Sequence, residues 1–301
     1  MLLSHNWLKS YYTNPEKMPE PKVVVDLLTM RAFEVESFEQ KGDDTIYDIK
    51  ITADRSSYAY GMRFVALELT LLVPELEMLP ATLMFTKTSI DLSEVASQVN
   101  AGLIDDDAKD GCSVYSLTKI ENVQNGPATE WLKTRLESIG QQSRGVVVDL
   151  TNFVMFDTGQ PLHAFDADKV EGQIHVGRSV EGEKVTILGG KEIALATGTL
   201  VIRDDKDILA IAGVKGGVKA EVTSATKNIY LESANFNQAQ VRRTARSLNL
   251  LNDSSKRFEQ GLTPERFLSG RKTYLYFLQK EQSEVKVYDT VVSSDIAVIG
   301  D

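Results

Sequence analysis

Residues 147–166, VVDLTNFVMFDTGQPLHAFD, decide how the rest of the chain is read. Val146, Leu150, Phe153 and Val154 recur at helical steps and so share one face. The opening GVVVDL taken alone reads equally well as a buried strand. The apolar spacing persists for three turns, which predicts a helix. Gly159 and Pro161 end it, because glycine closes a helix cheaply and proline cannot continue one. The stretch sets a hydroxyl (Thr151), an amide (Asn152) and an imidazole (His163) beside an apolar run, the mixture expected where a small polar substrate is held in a mostly apolar pocket. His163, one of three histidines, leaves the helix end on a short rigid connection, a position that aims a side chain.

Downstream the pattern turns to strands: QIHVGR (173–178), EKVTIL (183–188), KEIAL (191–195), TLVIR (199–203), DILAIA (207–212) and NIYLESANF (228–236), parted by Gly189-Gly190 and by DDKD at 204–207. Short strands in close succession predict a mostly antiparallel sheet. Helices follow, one capped by Asn237, a short one over 254–259, and one opening at Thr263 and Pro264 and running to about Lys280. EVKVYDTVV (284–292) is a last strand.

Upstream, SVYSLTKIENV (113–123) alternates as a strand. Pro127 suits a first helical position. Leu132, Leu136 and Ile139 make an apolar stripe closed by Gly140, and Ser143 is placed to cap the helix of the opening stretch. Residues 1–72 form a small α+β unit. Ser4 caps a helix bearing Trp7, Leu8 and Tyr11, a second helix starts near Pro21, and FEVESFEQ (33–40) and YDIKIT (47–52) are strands joined by the KGDD turn. Asp54 or Ser56 then caps one long helix through YGMRFVALELTLL (60–72). This unit is small enough to depend on its neighbour for burial. Residues 73–110 read as a linker, broken by Pro74 and Pro80 and closing on the acidic LIDDDAKDG, a solvated loop or boundary rather than a metal site, since the calcium-loop pattern is missing. The fold class expected is α+β: the N-terminal unit, then over 111–290 a mixed, mostly antiparallel sheet flanked by helices, with 291–301 a tail leading onward.

Composition excludes several classes. The chain has 301 residues, 42% apolar and 25% charged, an ordinary soluble balance. No apolar run approaches the roughly 20 residues of a membrane helix, and the N-terminus lacks signal-peptide order, so a cytoplasmic protein is expected. A single cysteine, Cys112, excludes an internal disulfide and, with scattered histidines, argues against a structural zinc site. The net charge of −10 argues against gripping nucleic acid over the whole surface, though not against a small basic patch. No phosphate loop, dinucleotide fingerprint or nucleophile elbow is present.

Three features carry chemistry by residue type. In AIAGVKGGVKAEV (210–222), Gly213, Gly216 and Gly217 either turn backbone amides toward a ligand oxygen or form a bulged hairpin. Glu232 interrupts an apolar strand; if its face is inward it needs a donor, a ligand hydroxyl or an arginine. Arg242, Arg243 and Arg246, with Lys256 and Arg257, form the conspicuous basic concentration, fit for the phosphates of a nucleic-acid end or simply a solvated face.

Several blocks together are similar to one family in unbroken order: ITADRSSYAYGMRFVALEL (51–69), GCSVY (111–115), VVDLTNFVM (147–155), GQPLHAFD (159–166), AGVKGG (212–217), LESANF (231–236) and RRTARSLNLLNDSSKRFEQG (242–261). They resemble the N-terminal part of the bacterial phenylalanine-tRNA ligase beta subunit, including its editing module. Little more than KGDD stands where that family inserts an oligonucleotide-fold domain. Lys215 and Lys256 replace a usual Met and His, and SRGVV replaces a common P-I-N-N-V. The resemblance implies an aminoacyl-ester hydrolase that removes tyrosine wrongly attached to the phenylalanine tRNA. Thr151, Asn152 and His163 would line the hydrolytic pocket, Gly213 the opposing loop and Ser254 its wall, while Glu232 would accept the tyrosine hydroxyl and Arg242, Arg243, Arg246 and Lys256 would meet tRNA. It also implies an alpha-subunit partner that carries the synthetic site with ATP and Mg, no cofactor in this chain, and later domains beyond it. The alternative is a non-catalytic scaffold that packs on the alpha subunit and presents tRNA.

Overall fold

The computed structural model describes residues 1–80, 102–264 and 266–294. Most of the expected linker (81–101) and of the tail (from 295) lies outside them. The elements run β1 (Leu2–Ser4), α1 (His5–Lys9), α2 (Pro21–Arg31), β2 (Glu34–Lys41), β3 (Asp44–Lys50), α3 (Ser56–Ala59) and α4 (Met62–Leu72) in the first part. Then come β4 (Cys112–Glu121), α5 (Glu130–Ser138), α6 (Val146–Thr158), β5 (Leu162–Asp166), β6 (His175–Arg178), β7 (Lys184–Thr186), β8 (Glu192–Ala194), β9 (Leu200–Arg203), β10 (Ile208–Ile211), β11 (Lys215–Gly216), β12 (Asn228–Phe236), α7 (Gln238–Ser247), α8 (Asp253–Phe258), α9 (Arg266–Glu281) and β13 (Lys286–Ser294). The class is α+β. The strands form sheets of order β1-β3-β2, β11-β10-β9-β6, β13-β4-β12-β5 and β7-β8, and among the described residues every pair of these strands is antiparallel.

Strand β12 is the hinge of the architecture. Alternate side chains of a strand point to opposite faces. Ile229 and Leu231 enter one apolar core with α1, α4, α5, α6 and α9. Ala234 and Phe236, with Tyr230 packed against them, enter a second core built on β6 and β9–β11. The first core draws Leu3, Trp7, Leu8, Val24 and Leu28 from the N-terminal unit together with Leu132, Val147, Leu150 and Phe153. Phe153 stacks on Trp7 at 5.2 Å and meets the edges of Trp131 and Phe277 at 5.3 and 5.0 Å, so one ring joins α1, α5, α6 and α9. Beneath it, the buried Arg63 pairs with Asp157, which also accepts from Tyr11.

Four local expectations are corrected. The single helix after Ser56 is two, broken at Gly61, which caps α4; a Cβ there would sit 2.6 Å from the Thr158 carbonyl carbon, so the close approach of α6 selects glycine and breaks the run. Helix α5 begins at Glu130, three residues past Pro127. Helix α6 is not capped by Ser143, whose hydroxyl instead bonds Asp149. Gly145 takes the cap position at φ 116°, and Asn125 Oδ1 accepts from the Val147 amide at 3.1 Å. The acidic run at 103–111 is not simply solvated, because Leu103 and Ile104 are buried in the second core and Asp105 bonds His175. The short strand β1 was not expected at all.

Candidate functional site

The site is built where α6 ends. Gly159 closes the helix in the left-handed conformation at φ 79°, its amide bonding Met155 O, and Arg266 Nη1 donates to Thr158 O at 2.9 Å. The next residue ties the exit to the sheet: Gln160 Nε2 donates to Ala234 O on β12 at 2.9 Å. The chain therefore enters β5 already in register, and His163 pairs opposite Glu232. Contrary to expectation, His163 lies within a strand rather than on a connection. The outcome is the same aimed side chain, held by a ladder instead of a turn.

Glu232 lies on the β12 face shared with Tyr230 and Ala234, and it is 8% exposed. The Tyr115 hydroxyl donates to its Oε2 at 2.8 Å. Burial pushes the carboxyl up to about 7, and the tyrosine bond opposes that rise. The imidazole of His163 is half-buried, edge-on to Phe165 at 4.6 Å. Burial, and secondarily the charge of Lys215, lower it to about 4, so it is neutral at physiological pH.

The glycine segment resolves as a hairpin between β10 and β11. Each of its glycines stands where a Cβ would crowd neighbouring protein atoms. A Cβ on Gly216 would lie 2.7 Å from His163 Cε1 and 3.0 Å from Nε2, and one on Gly217 would lie 2.7 Å from Leu209 O. Gly213, at φ 68°, is wedged among Val241, Phe236 and Phe258. Helix α8 is latched to the same hairpin, Asn252 Nδ2 donating to Val214 O at 2.6 Å and Ser254 Oγ to Gly213 O at 3.3 Å.

These elements enclose a cavity of about 580 Å³, within the range of roughly 300–1,000 Å³ usual for small-molecule sites. Thr151, Asn152, His163, Gly213, Glu232 and Ser254, drawn from five separate places in the chain, all line it. Thr151 spends its hydroxyl proton on Val148 O at 2.7 Å, which leaves it an acceptor toward the cavity. The lining also includes Arg144 and Lys215, which were not among the expected pocket residues; cations at separated positions give no local motif. Tyr115 was missed as a site residue too, since its role depends on a cross-strand diagonal that no spacing reveals.

Arg242, Arg243, Arg246 and Lys256 are exposed and are not part of the cavity lining. Arg257 does not belong with them. It is buried over the Phe156 ring at 4.7 Å, donates to Tyr60 O, and is pushed down to about 10 by burial. Among the described residues no group of three or more His, Cys, Asp or Glu side chains is placed to hold a metal ion, and no helix is long and apolar enough to cross a membrane.

Comparison with known proteins adds three kinds of match. The family model described as the B3/4 domain matches residues 111–281. Among curated proteins, the phenylalanine–tRNA ligase beta subunit of Syntrophus aciditrophicus is 41% identical over 223 residues, 74% of this chain and 27% of the relative. That of Bdellovibrio bacteriovorus is 39% identical over 229 residues, 76% and 27% respectively. The chain thus spans about a quarter of the length of these relatives. An N-terminal fragment of the phenylalanyl-tRNA synthetase beta subunit from Pyrococcus horikoshii overlays 97% of this chain and 75% of its own at 12% identity, with a TM-score of 0.42.

Proposed function

The chain belongs to the B3/4 domain family, and from that premise we propose that its cavity hydrolyses the ester of tyrosine wrongly attached to the phenylalanine tRNA, as the editing module of a phenylalanine-tRNA ligase beta subunit. The observation that carries this reading is the pairing of Glu232 with His163 across β12 and β5 at one cavity. A tyrosyl group whose phenolic hydroxyl meets Glu232 leaves its ester toward the imidazole side.

Selection follows from the cost of an unpaired buried carboxylate. A site that pairs a substrate hydroxyl rejects the analogue lacking it by roughly 10⁴–10⁵ in favourable cases. Phenylalanine, the correct product, is spared because it leaves the Glu232 oxygen not held by Tyr115 without a donor. The chemistry asked of the protein is modest. Water attacks the carbonyl carbon, the bond to the ribose oxygen breaks, and the proton lost by the water ends on that leaving oxygen, giving free tyrosine and intact tRNA. An imidazole lowered to about 4 is a weak base but a good hydrogen-bond acceptor, so His163 orients the water rather than ionising it. Asn152 and Gly213, which line the same cavity, are assigned to steady the acyl group. Arg242, Arg243, Arg246 and Lys256 are assigned to the tRNA backbone outside the cavity. ATP and Mg are assigned to an alpha-subunit partner.

The test is release of tyrosine from Tyr-charged phenylalanine tRNA by the purified chain. Release well above the buffer rate, lost in Glu232→Gln and His163→Ala, supports hydrolysis. Release no faster than buffer at high protein concentration favours the scaffold alternative.

A further inference from the structure

We propose that Tyr115 is a positioning residue for Glu232: its hydroxyl occupies one carboxylate oxygen, commits the other to the cavity, and so sets how strongly the pocket prefers an aminoacyl guest that bears a phenolic hydroxyl. The inference rests on the editing reading above and adds to it the group that makes the selecting carboxylate selective.

The geometry is fixed by the sheet. Tyr115 on β4 stands opposite Ala234, and Glu232 stands opposite Leu117, so Tyr115 and Glu232 are diagonal neighbours on one face. The small Ala234 leaves room for the ring to lean along the diagonal. Tyr115 is fully buried and packs on Phe236 at 6.5 Å; Phe236 in turn meets Phe258 of the cavity wall at 5.1 Å. A ring so confined offers its hydroxyl from one place. A phenol has one proton to give, and it is given to Oε2 at 2.8 Å. A carboxylate has two acceptor oxygens, and Glu232 itself lines the cavity. The second oxygen is the one a guest hydroxyl reaches.

The bond also governs charge. Burial drives the carboxyl toward its neutral form and the Tyr115 hydroxyl drives it back. His163 on β5 stands opposite Glu232; the other charged or titratable groups lining the cavity are Lys215 on β11, Arg144, Glu221 and Asp253, and Cys112 on β4 acts on Tyr115. Only the ionised carboxyl imposes the full penalty on a guest without a hydroxyl, since an unpaired buried charge costs more than an unpaired neutral group. Removing the Tyr115 hydroxyl therefore raises the pH at which the carboxyl ionises and relaxes selection at neutral pH.

The experiment compares hydrolysis of Tyr- and Phe-charged phenylalanine tRNA by the wild-type chain, Tyr115→Phe and Glu232→Gln from pH 6 to 8.5, after subtraction of buffer hydrolysis. Tyr115→Phe is expected to lose about tenfold of the preference for tyrosine at pH 7 and to recover it toward pH 8.5, whereas Glu232→Gln loses it at every pH. A Tyr115→Phe protein with wild-type preference and pH profile, or with a loss that pH does not reverse, overturns the positioning role while leaving the editing reading intact. A Glu232→Gln protein with undiminished preference overturns both. A measurement on the unmutated chain needs no variant to fold: the ring Cζ carbon of Tyr115, followed by NMR, is expected to report the Glu232 titration near neutral pH, and a Cζ signal flat through that range contradicts the proposal.

Discussion

Replacing Gly216 with alanine tests the site through a single methyl group. The added Cβ would stand 2.7 Å from His163 Cε1, about 0.7 Å inside the 3.4 Å at which ordinary contact begins, and 3.0 Å from Nε2. The backbone of Gly216 is not in the left-handed region, so the strain falls on the neighbours. Leu188 Cδ1, at 3.1 Å, is the end of a flexible side chain and yields. The imidazole is backed by Phe165 and yields by turning away from its place over the cavity. A displacement near 1 Å at a reacting group costs up to about a hundredfold in rate, so Gly216→Ala is expected to slow tyrosine release by about ten- to a hundredfold. The accompanying overpacking costs about 1–3 kcal/mol of stability. Single-turnover deacylation gives the first quantity, and urea unfolding at the same temperature the second. A Gly216→Ala protein at the wild-type rate, while His163→Ala is slow, would refute the dependence on ring position.

Three further outcomes are expected. The Glu232 carboxyl ionises near 7 when folded and near 4.3 when unfolded, so the unfolded chain releases its proton first and stability is lost as pH rises between those values. Glu232→Gln removes that loss, and its stability relative to wild type should improve by on the order of 3 kcal/mol between pH 4.5 and 8 in thermal or urea unfolding; a pH-independent difference would contradict the buried carboxyl. Because His163 is held near 4, the ratio of wild-type to His163→Ala deacylation rates should stay flat from pH 5.5 to 8, and a ratio climbing through 6.5 would mark the imidazole as a general base instead. Phe153→Ala removes the ring that joins four helices and should cost about 3–5 kcal/mol by urea unfolding, a loss below 1 kcal/mol being incompatible with the packing described.

Much of the site is legible because its polar residues interrupt apolar runs. Glu232 stands out in IYLESANF because a carboxylate in a strand of large apolar residues demands a partner, and the three-turn apolar spacing of 146–154 is enough to decide helix over strand. Other features are set by contacts between distant parts of the chain, which local spacing does not record. Gly61 breaks a good helix pattern because α6 passes against it, and Gly145 replaces Ser143 as cap because Asn125, twenty residues back, supplies the acceptor. Arg257 looks like one more surface cation beside Lys256, yet it is buried over Phe156. The hairpin glycines are a further case: their sequence favours a bulged hairpin over a ligand cradle, and only the position of the imidazole reveals what Gly216 accommodates. Tyr115 is hidden for the same reason, its partner being 117 residues away.

The account turns on where a tyrosyl group sits, and a crystal structure of the chain with a non-hydrolysable tyrosyl-adenosine ester analogue measures that directly. The phenolic oxygen is expected within hydrogen-bonding distance of the Glu232 carboxyl, with the acyl carbon on the His163 side of the same cavity. A tyrosyl ring bound elsewhere, or seated in the cavity with its hydroxyl turned away from Glu232, would contradict it.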